Sequence, residues 1–384
     1  MTIDNRTLYN TSADQRNITA YSSPDFIHPF SYLHIKIIFI ILYGVVFTGC
    51  FIGNIGIILL IIKNKALRTR TNFFLANLAV ADFCVGIFCV LPNLSTFLSP
   101  AWVLGKVMCK LYYFVQGMSY TASILLLTVI AIERYIAIMH PLRSRHLFTF
   151  VRLQIAQVCI WLLACCYNIP HLLVFDTVDI ITSKGEQMSF CFVNLSDKDM
   201  RTLSTVNFVL WYIIPLVSMI IMYTRISITL WRTSHSQSEI RPTFVLYQKN
   251  RNVKGSQMKK LLCVKVHEPT DGDDNYKHNM KFDMSNRDTS SSGSGLTARR
   301  KVIRLLMILL ITFAFCVLPN HLRVLLHYWH IDPPQSAGIG LLPPVSYLLL
   351  YLNSALNPGL YWVFSESFRR SLRETFTCRR RKRR

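Results

Sequence analysis

The hydrophobic residues of this chain are gathered into seven long stretches that are almost free of charge. Numbered in chain order as the first to seventh spans, they are Ile37–Ile62, Thr71–Gly105, Leu111–Ile132, Leu153–Phe175, Thr202–Thr224, Leu305–Leu322 and Pro333–Ser365. A helix needs about 20 apolar residues to cross about 30 Å of hydrocarbon, so each stretch predicts a membrane span. Because backbone polar groups in lipid need local partners, the spans are expected to be helices. The pattern predicts an all-α membrane protein, a seven-transmembrane helix bundle.

The segments outside the spans define the domain organisation. Residues 1–33 predict an extracellular tail, 34–232 the first five spans with their loops, 233–298 a long and largely disordered cytoplasmic loop, 299–363 the last two spans, and 364–384 a basic cytoplasmic tail. From Phe364 the tail alternates apolar and basic residues at helical spacing, which predicts a short amphipathic helix on the inner leaflet. Its basic end favours contact with membrane lipid, and Cys378 is a candidate palmitoylation site.

The net charge of +22 over 384 residues is strongly basic, a balance that can also indicate nucleic-acid binding. The basic residues follow the first span, separate the third from the fourth and the fifth from the sixth, and fill the tail. These segments share one side of a seven-span topology, and the positive-inside rule makes that side cytoplasmic. We therefore expect a multi-pass protein of the plasma membrane with its N-terminus outside, its C-terminus inside, and no nucleic-acid partner.

The opposite side carries features expected outside the cell. Candidate N-glycosylation sequons begin at Asn5, Asn10, Asn17 and Asn194. Most of the 11 cysteines lie inside spans and are expected to pack as small apolar residues. Cys109 and Cys191 are the two extracellular candidates, and an oxidising exterior would let them pair.

One carboxylate, Asp82, lies inside a predicted span. A charge at membrane depth is costly, so it usually faces the bundle interior and marks function. The polar residues of other spans that could join it are Asn54, Ser123, Asn353, Ser354 and Asn357. Their oxygens suit a small cation, and the same residues also suit a packed polar network without an ion.

The inner end of the third span carries the tripeptide Glu133-Arg134-Tyr135. An acid next to an arginine at the interface can hold the guanidinium in one rotamer, and its release would free the guanidinium for the carbonyls of a partner. The alternative is an anchor arginine that only extends its side chain to the interface.

Prolines interrupt three successive spans. Pro215 and Pro319 lie in the fifth and sixth spans, and Asn357-Pro358 lies near the inner end of the seventh. A proline frees a carbonyl and creates a place where a helix can bend. Three of them favour a bundle that moves, while a static kink is the alternative at any one position.

Taken together, these features resemble the rhodopsin-like family of G-protein-coupled receptors. The landmarks, one set per span, are Gly53-Asn54, Leu78 to Asp82, Glu133-Arg134-Tyr135, Trp161, Pro215 with Tyr223, Phe313 with Cys316 and Pro319, and Asn357-Pro358 with Tyr361. The resemblance covers residues 34–376. It implies a receptor rather than an enzyme, with heterotrimeric G proteins as partners and with arrestin and receptor kinases as regulators.

The resemblance also assigns roles to individual residues. It implies a disulfide between Cys109 and Cys191. It implies no required cofactor, with Na⁺ as an allosteric ion in a pocket of Asp82, Ser123, Asn353, Ser354 and Asn357. The trio that repacks on activation corresponds to Pro215, Ile124 and Phe313. The residues that meet when the sixth span swings outward correspond to Arg134, Tyr223 and Tyr361.

The sequence departs from the family pattern at two positions. The tryptophan usual two residues before Pro319 is Val317, so Phe313 and Phe315 are the candidates for coupling the ligand to the sixth span. Some members carry an acid near the start of the sixth span that forms an ion pair with the arginine matching Arg134. The corresponding residue here is Arg299, which cannot form that pair, and this leads to the hypothesis of higher basal activity.

The ligand class follows from two absences. Retinal-binding members of the family carry a lysine where this chain has Tyr351. Amine receptors carry an aspartate that pairs with the ligand where this chain has Gln116, and a neutral amide cannot form that ion pair. The outer spans are instead rich in polar and aromatic groups that suit a peptide. The ligand-binding residues expected are Asn93, Gln116, Asn320, His321, Arg323, His327, Tyr347 and Tyr351. An acidic surplus in the second extracellular loop favours a basic peptide, with a merely solvated loop as the alternative.

Within the peptide branch, the segments from Leu91 to Ser123 and from Cys316 to Trp329 are similar to invertebrate trissin-type receptors, whose ligand is a cysteine-rich neuropeptide. Orexin-like and cholecystokinin-like receptors are the next candidates. Outside this class, the alternatives are a receptor of the same fold for a non-peptide small molecule and a seven-span transporter. A transporter usually shows internal repeats and several midplane charges, which this sequence lacks.

Overall fold

The computed structural model describes residues 29–99, 101–181, 185, 187–249, 288–331 and 339–381. The chain divides into two compact units, Met1–Thr224 with Lys301–Arg384, and Arg225–Arg300. The sequons at Asn5, Asn10 and Asn17 lie outside the described residues, as does most of the predicted cytoplasmic loop.

Within the described residues, six helices are long and apolar enough to cross a membrane. They are Leu33–Lys63, Arg70–Leu98, Gly105–Met139, Phe150–Val174, Asp197–Thr233 and Arg300–Tyr328. The fifth continues to Lys249, and the sixth begins at Asp288. A seventh helix, Leu342–Phe364, has the length of a span but is more polar, because it carries Asn353, Ser354 and Asn357. The predicted bundle of seven helices is confirmed, and below these are the first to seventh helices.

The helix boundaries differ from the predicted spans because the spans were delimited by charged residues. The third helix runs from Gly105 to Met139, well past Glu133 and Arg134, since a charged side chain at an interface does not interrupt backbone hydrogen bonding. Side-chain caps mark several true starts. The hydroxyl of Thr69 accepts from the backbone N–H of Asn72 at 3.3 Å, and Ser196 plays the same part for the fifth helix.

Three helices contain a short π-helical segment, at Gly49–Gly53, Gly86–Val90 and Val209–Ile213. Such a segment leaves a backbone carbonyl that needs another donor. In the first helix, Asn54 Nδ2 donates to the carbonyl oxygen of Cys50 at 3.0 Å. The first two segments also touch, because a Cβ placed on Gly86 would lie 2.9 Å from Cβ of Cys50.

A β-hairpin connects the fourth and fifth helices, which the all-α prediction did not contain. Strand β1, Phe175–Ile181, pairs antiparallel with β2, Gln187–Val193, and Thr177 lies opposite Cys191. The ring of Phe175 stacks on Tyr113 of the third helix with 3.6 Å between centroids. The hairpin was missed because β1 continues directly from an apolar span, so no turn signal separates them.

The predicted amphipathic helix follows the seventh helix and spans Glu366–Arg381. Phe368 is buried and its ring lies 5.8 Å from that of Tyr361. Arg369 donates to the carbonyls of Trp362 and Val363, which are left unpaired at the end of the seventh helix. Cys378 lies in this helix at a position whose side chain is outside the described set.

The tight contact between the third and fourth helices yields a stability prediction. A Cβ on Gly117 would lie 2.1 Å from Oδ1 of Asn168. Asn168 cannot move away without losing its bonds to Thr121 Oγ1 at 3.2 Å and to the Ala164 carbonyl at 2.8 Å. We expect Gly117→Ala to destabilise the protein by about 1–3 kcal/mol, measured by thermal unfolding of the purified protein.

Gly56→Ala is the matched control, since an added Cβ there meets no described atom within 4 Å. It should be neutral or stabilising by up to about 1 kcal/mol, because alanine is the better helix former. Equal unfolding temperatures for the two variants would contradict the packing described here.

Candidate functional site

A disulfide joins Cys109 at the start of the third helix to Cys191 in β2, with 5.7 Å between the Cα atoms. This confirms the predicted pair. The bond holds the hairpin over one end of the bundle, which we call the disulfide end. The opposite end, where Glu133 and Arg134 lie, we call the arginine end. Asn194 is exposed directly after β2 at the disulfide end.

Beside the disulfide, Asp176 is paired with two lysines. Its Oδ2 lies 2.9 Å from Nζ of Lys106 and 3.7 Å from Nζ of Lys110. The hydrogen bond from Lys106 and that from the Thr177 backbone N–H hold the pKa of Asp176 below its usual value. Asp179 in turn accepts a bond from Ser189 Oγ at 2.5 Å. Two acids of the loop are therefore engaged within the protein, which reduces the acidic surplus available for steering a ligand.

Several predicted ligand-binding residues line the gap between the sixth and seventh helices at the disulfide end. Arg323 Nε donates to Ser346 Oγ at 2.8 Å, and its Nη2 donates to Asn320 Oδ1 at 3.0 Å. The guanidinium lies 4.8 Å from the ring centroid of Tyr347. His327 lies one turn further along the sixth helix, with its ring 5.1 Å from Tyr328.

Asn93 and Tyr351, also predicted to bind ligand, lie instead in a buried hydrogen-bond network. Asn93 accepts from the hydroxyl of Tyr43 at 2.7 Å and donates to the hydroxyl of Tyr112 at 2.9 Å. The hydroxyls of Tyr112 and Tyr351 are 3.1 Å apart. All four side chains are at most 2% exposed, so this network fastens the first, second, third and seventh helices together. Sequence reasoning missed Tyr43 and Tyr112, although a tyrosine hydroxyl inside a span signals a buried partner.

A small cavity lies beneath these groups. The space that the centre of a water molecule can reach is about 30 Å³, enough for roughly two waters. Its lining includes Gln116, Ser119, Tyr120 and Ser123 from the third helix, Phe313 and Val317 from the sixth, and Tyr351, Asn353 and Ser354 from the seventh. The hydroxyl of Ser119 is buried here with no hydrogen-bond partner in the described part of the chain. The cavity thus joins the level of Gln116 to the polar cluster around Asp82.

Next to this cavity, aromatic rings of the third and fifth helices pack around His321 of the sixth. Tyr120 of the third helix and Phe208 and Tyr212 of the fifth have centroids 5.4–5.6 Å from the His321 ring. The two phenylalanines proposed for coupling differ sharply. Phe313 is 1% exposed and packs on Tyr120, whereas Phe315 is 74% exposed. The packing leaves Phe313 as the candidate.

The carboxylate of Asp82 is 1% exposed, and Nδ2 of Asn357 donates to its Oδ2 at 2.7 Å. Asn54 Nδ2 donates to the carbonyl of Ser354 at 3.2 Å. The other oxygens, Asp82 Oδ1 and Asn54 Oδ1, are buried and find no donor among the described residues. Unpaired acceptor oxygens around one carboxylate are the donor set that a small hard cation requires. The residues of this cluster therefore fit the Na⁺ expected from the sequence.

At the arginine end, Glu133 holds Arg134 by two hydrogen bonds of 2.5 and 2.6 Å. Glu133 is 1% exposed, so the pair is largely desolvated on the acid side. Tyr223 and Tyr361 are buried, and the hydroxyl of Tyr361 has no partner within the described ranges. Arg134 is therefore held by its neighbour in this structure rather than by the two tyrosines.

Apart from Tyr135, which adjoins Arg134, the remaining residues predicted to act in activation lie between the two ends. Ile124 and Phe313 are buried, and Pro215 is half-buried. Pro358 packs against the first helix so closely that a Cβ on Gly53 would lie 2.9 Å from its Cγ. Tyr135 packs beside His140, with ring centroids 6.5 Å apart.

At the arginine end, a further ion pair joins the sixth helix to the amphipathic helix. Lys301 Nζ lies 2.5 Å from Oε1 of Glu366. This contact lowers the pKa of Glu366. Both side chains are about half exposed, so the pair is expected to contribute little stability. The side chain of Arg299 lies outside the described set.

Comparison with known proteins assigns the chain to a family. The family described as "7 transmembrane receptor (rhodopsin family)" matches residues 53–361. The chain is 31% identical to the trissin receptor of Drosophila melanogaster, over 90% of this chain and 67% of that protein. It is 27% identical to a QRFP-like peptide receptor of Branchiostoma floridae, over 90% of this chain and 78% of that protein. It is 28% identical to the thyrotropin-releasing hormone receptor of Gallus gallus, over 85% of this chain and 75% of that protein. The chain therefore belongs to the rhodopsin family of seven-transmembrane receptors.

Proposed function

We propose that this receptor binds an extracellular neuropeptide at its disulfide end and activates a heterotrimeric G protein at its arginine end. The observation that carries the proposal is the third helix, which presents Gln116 to the cavity at one end and Arg134, held by Glu133, at the other. Eighteen residues separate them, or about 27 Å of helix. A ligand acts across this distance only through its differential affinity for the two arrangements of the bundle.

A peptide is the ligand class that the relatives and the disulfide end support best. The trissin receptor and the QRFP-like peptide receptor are named for peptides. The likeness to trissin-type receptors favours a cysteine-rich peptide as the ligand of this chain. Arg323, Asn320 and Tyr347 supply hydrogen-bonding and cation–π groups of the kind that peptide backbone and side chains need. Gln116 at the cavity argues against an amine.

The test is a panel of synthetic neuropeptides that includes Drosophila trissin, applied to cells that express the chain. We expect a calcium or cyclic-nucleotide response to at least one cysteine-rich peptide, absent from cells that express Arg134→Ala. Activation by small molecules alone would favour the non-peptide alternative.

The orientation is part of the proposal. Its support is the placement of Lys63, Lys65, Arg143 and Arg145 on the arginine end, which the positive-inside rule places in the cytoplasm. An epitope tag at the N-terminus should stain intact cells, and a tag at the C-terminus should stain them only after permeabilisation. Equal staining of both tags in intact cells would refute this topology.

We further propose that Na⁺ binds at Asp82 as an allosteric ion. Asp82, Ser123, Asn353, Ser354 and Asn357 would hold it, and the ion would supply positive charge to a buried carboxylate. We expect NaCl to stabilise the protein by about 1.4 kcal/mol relative to choline chloride at equal ionic strength when Na⁺ is tenfold above its Kd, which is measured as a higher unfolding temperature. Asp82→Asn should remove the difference.

The control for this experiment is Asp176→Asn, which removes a carboxylate from the disulfide end and should keep the Na⁺ effect. A Na⁺-specific stabilisation that persists in Asp82→Asn would contradict this site.

Regulatory partners are proposed from the cytoplasmic segments. The exposed arginines Arg370 and Arg373 on the amphipathic helix suit anionic lipid. Ser and Thr residues near basic side chains, such as Ser290 and Ser291, suit receptor kinases and the arrestin that phosphorylation would attract.

A further inference from the structure

The sixth helix lacks the tryptophan that most members of its family carry two residues before the proline, and Val317 stands there. Val317 is buried, and it lines the small cavity together with Tyr120 and Phe313. A valine has no hydrogen-bonding group and little reach. A hydrogen-bonded link between the cavity and the sixth helix must therefore come from the neighbours of Val317.

Tyr120 makes that link with a single oxygen atom. Its hydroxyl donates to the carbonyl oxygen of Trp211 in the fifth helix at 2.9 Å. The same hydroxyl lies 3.0 Å from Nε2 of His321 in the sixth helix. Because the one hydroxyl proton goes to the carbonyl, the hydroxyl accepts from His321, whose Nε2 then carries a proton. One oxygen thus joins three helices.

The fifth helix accepts this bond within an irregular turn. Trp211 lies in the π-helical segment Val209–Ile213, where the regular α-helical bonding pattern is interrupted. A second hydroxyl in the same cluster, that of Tyr212, donates to the carbonyl of Ala314 at 2.9 Å and ties the fifth helix to the sixth.

The ring of Tyr120 makes a second contact with the sixth helix, closer to the arginine end. It stacks on Phe313 with 5.9 Å between centroids and an interplanar angle of 13°. Phe313 lies eight residues before His321, so Tyr120 contacts the sixth helix at two levels, with its hydroxyl at one and its ring at the other. A ligand group that enters the cavity and displaces the ring of Tyr120 would therefore disturb both its bond to His321 and its packing on Phe313.

We propose that Tyr120 is the positioning residue that couples the cavity to the sixth helix in this receptor, through its bond to His321 and its packing on Phe313. The proposal rests on the proposed receptor function. In the structure Arg134 is held by Glu133, so the Tyr120 bonds belong to the resting arrangement. Loss of the hydroxyl should therefore favour the arrangement in which the sixth helix has moved.

The test compares Tyr120→Phe with Tyr167→Phe. The first variant keeps the ring and removes the hydroxyl. The second removes a hydroxyl that donates to Asn207 Oδ1 at 2.6 Å, a bond between the fourth and fifth helices that leaves the sixth out. Two readouts are taken: basal nucleotide exchange per surface receptor, and the signal of a fluorescent amino acid at the exposed Arg304 position of the purified receptor.

We expect Tyr120→Phe to raise basal exchange about two- to tenfold, the factor that one neutral hydrogen bond gives, and to shift the fluorescence. Tyr167→Phe should change neither. His321→Phe should act in the same direction, since it removes the bond to the sixth helix, whereas Tyr120→Phe also removes the bond to Trp211. The double variant should therefore add nothing to the effect of Tyr120→Phe.

The outcomes separate the coupling from the receptor function. A fluorescence shift without a change in exchange supports the role of Tyr120 and counts against G-protein activation. If Tyr120→Phe gives the same fluorescence signal as Tyr167→Phe, the coupling role is overturned. If Tyr120→Phe does not reach the cell surface, His321→Phe takes its place in this comparison. Additive single effects would overturn it as well.

Discussion

Replacing Arg134 by alanine is expected to lower G-protein activation at least about 100-fold while leaving peptide binding and surface expression intact. The two charge-assisted bonds to Glu133 show that the guanidinium is presented in a fixed rotamer at the arginine end. Alanine offers no donor to a partner's carbonyls, and two such bonds are worth about 3–6 kcal/mol. Nucleotide exchange measured against surface receptor number reports the loss directly.

Glu133→Gln provides the matched comparison, with the opposite sign. It removes the charge that holds Arg134 and keeps the side chain's shape, so basal exchange should rise. If Arg134→Ala still signals like the wild type at equal surface density, Arg134 has no part in coupling.

Breaking the disulfide is expected to have the largest effect on stability. The bond between Cys109 and Cys191 closes a loop with a sequence separation of 82 residues, which corresponds to about 4.5 kcal/mol of stabilisation in the chain-entropy account. It also fixes β2 to the third helix beside the predicted ligand-binding residues. Cys109→Ser or Cys191→Ser should therefore lower the unfolding temperature steeply and remove most receptor from the cell surface.

Cys159→Ser is the control, since Cys159 is an exposed free cysteine on the fourth helix. It should leave both the unfolding temperature and the surface density near wild type. A Cys191→Ser receptor that is as stable as Cys159→Ser would show that packing of the hairpin, rather than the covalent bond, holds the disulfide end together.

The bundle and its tail helix were predictable from sequence because long apolar runs and helical alternation act locally. The helix boundaries were predicted wrongly because the spans were ended at charged residues. The third helix continues past Arg134 to Met139, since a charged side chain does not interrupt backbone hydrogen bonding. The hairpin could not be predicted, because Phe175 belongs at once to the apolar run of the fourth span and to β1. Its strands are fixed by pairing and by the bond to Cys191, which are long-range interactions.

The site was predictable in its residue types and not in its contacts. Asp82 and Asn357 were expected to meet, and they do so at 2.7 Å. Asn93 was expected to face ligand, yet its amide is satisfied by Tyr43 and Tyr112, residues from two other helices. The bond from Tyr120 reaches Trp211 inside a π-helical segment, and no pattern in the sequence predicts that segment.

The central claim is that a peptide bound at one end of the bundle changes the behaviour of a G protein at the other. The most direct measurement uses the purified receptor in lipid nanodiscs, a purified heterotrimeric G protein, and the active peptide from the panel. We predict that saturating peptide accelerates nucleotide exchange with the wild-type receptor and leaves it unchanged with Arg134→Ala, which binds the peptide equally well. A peptide that binds the wild-type receptor with no effect on exchange would contradict this account.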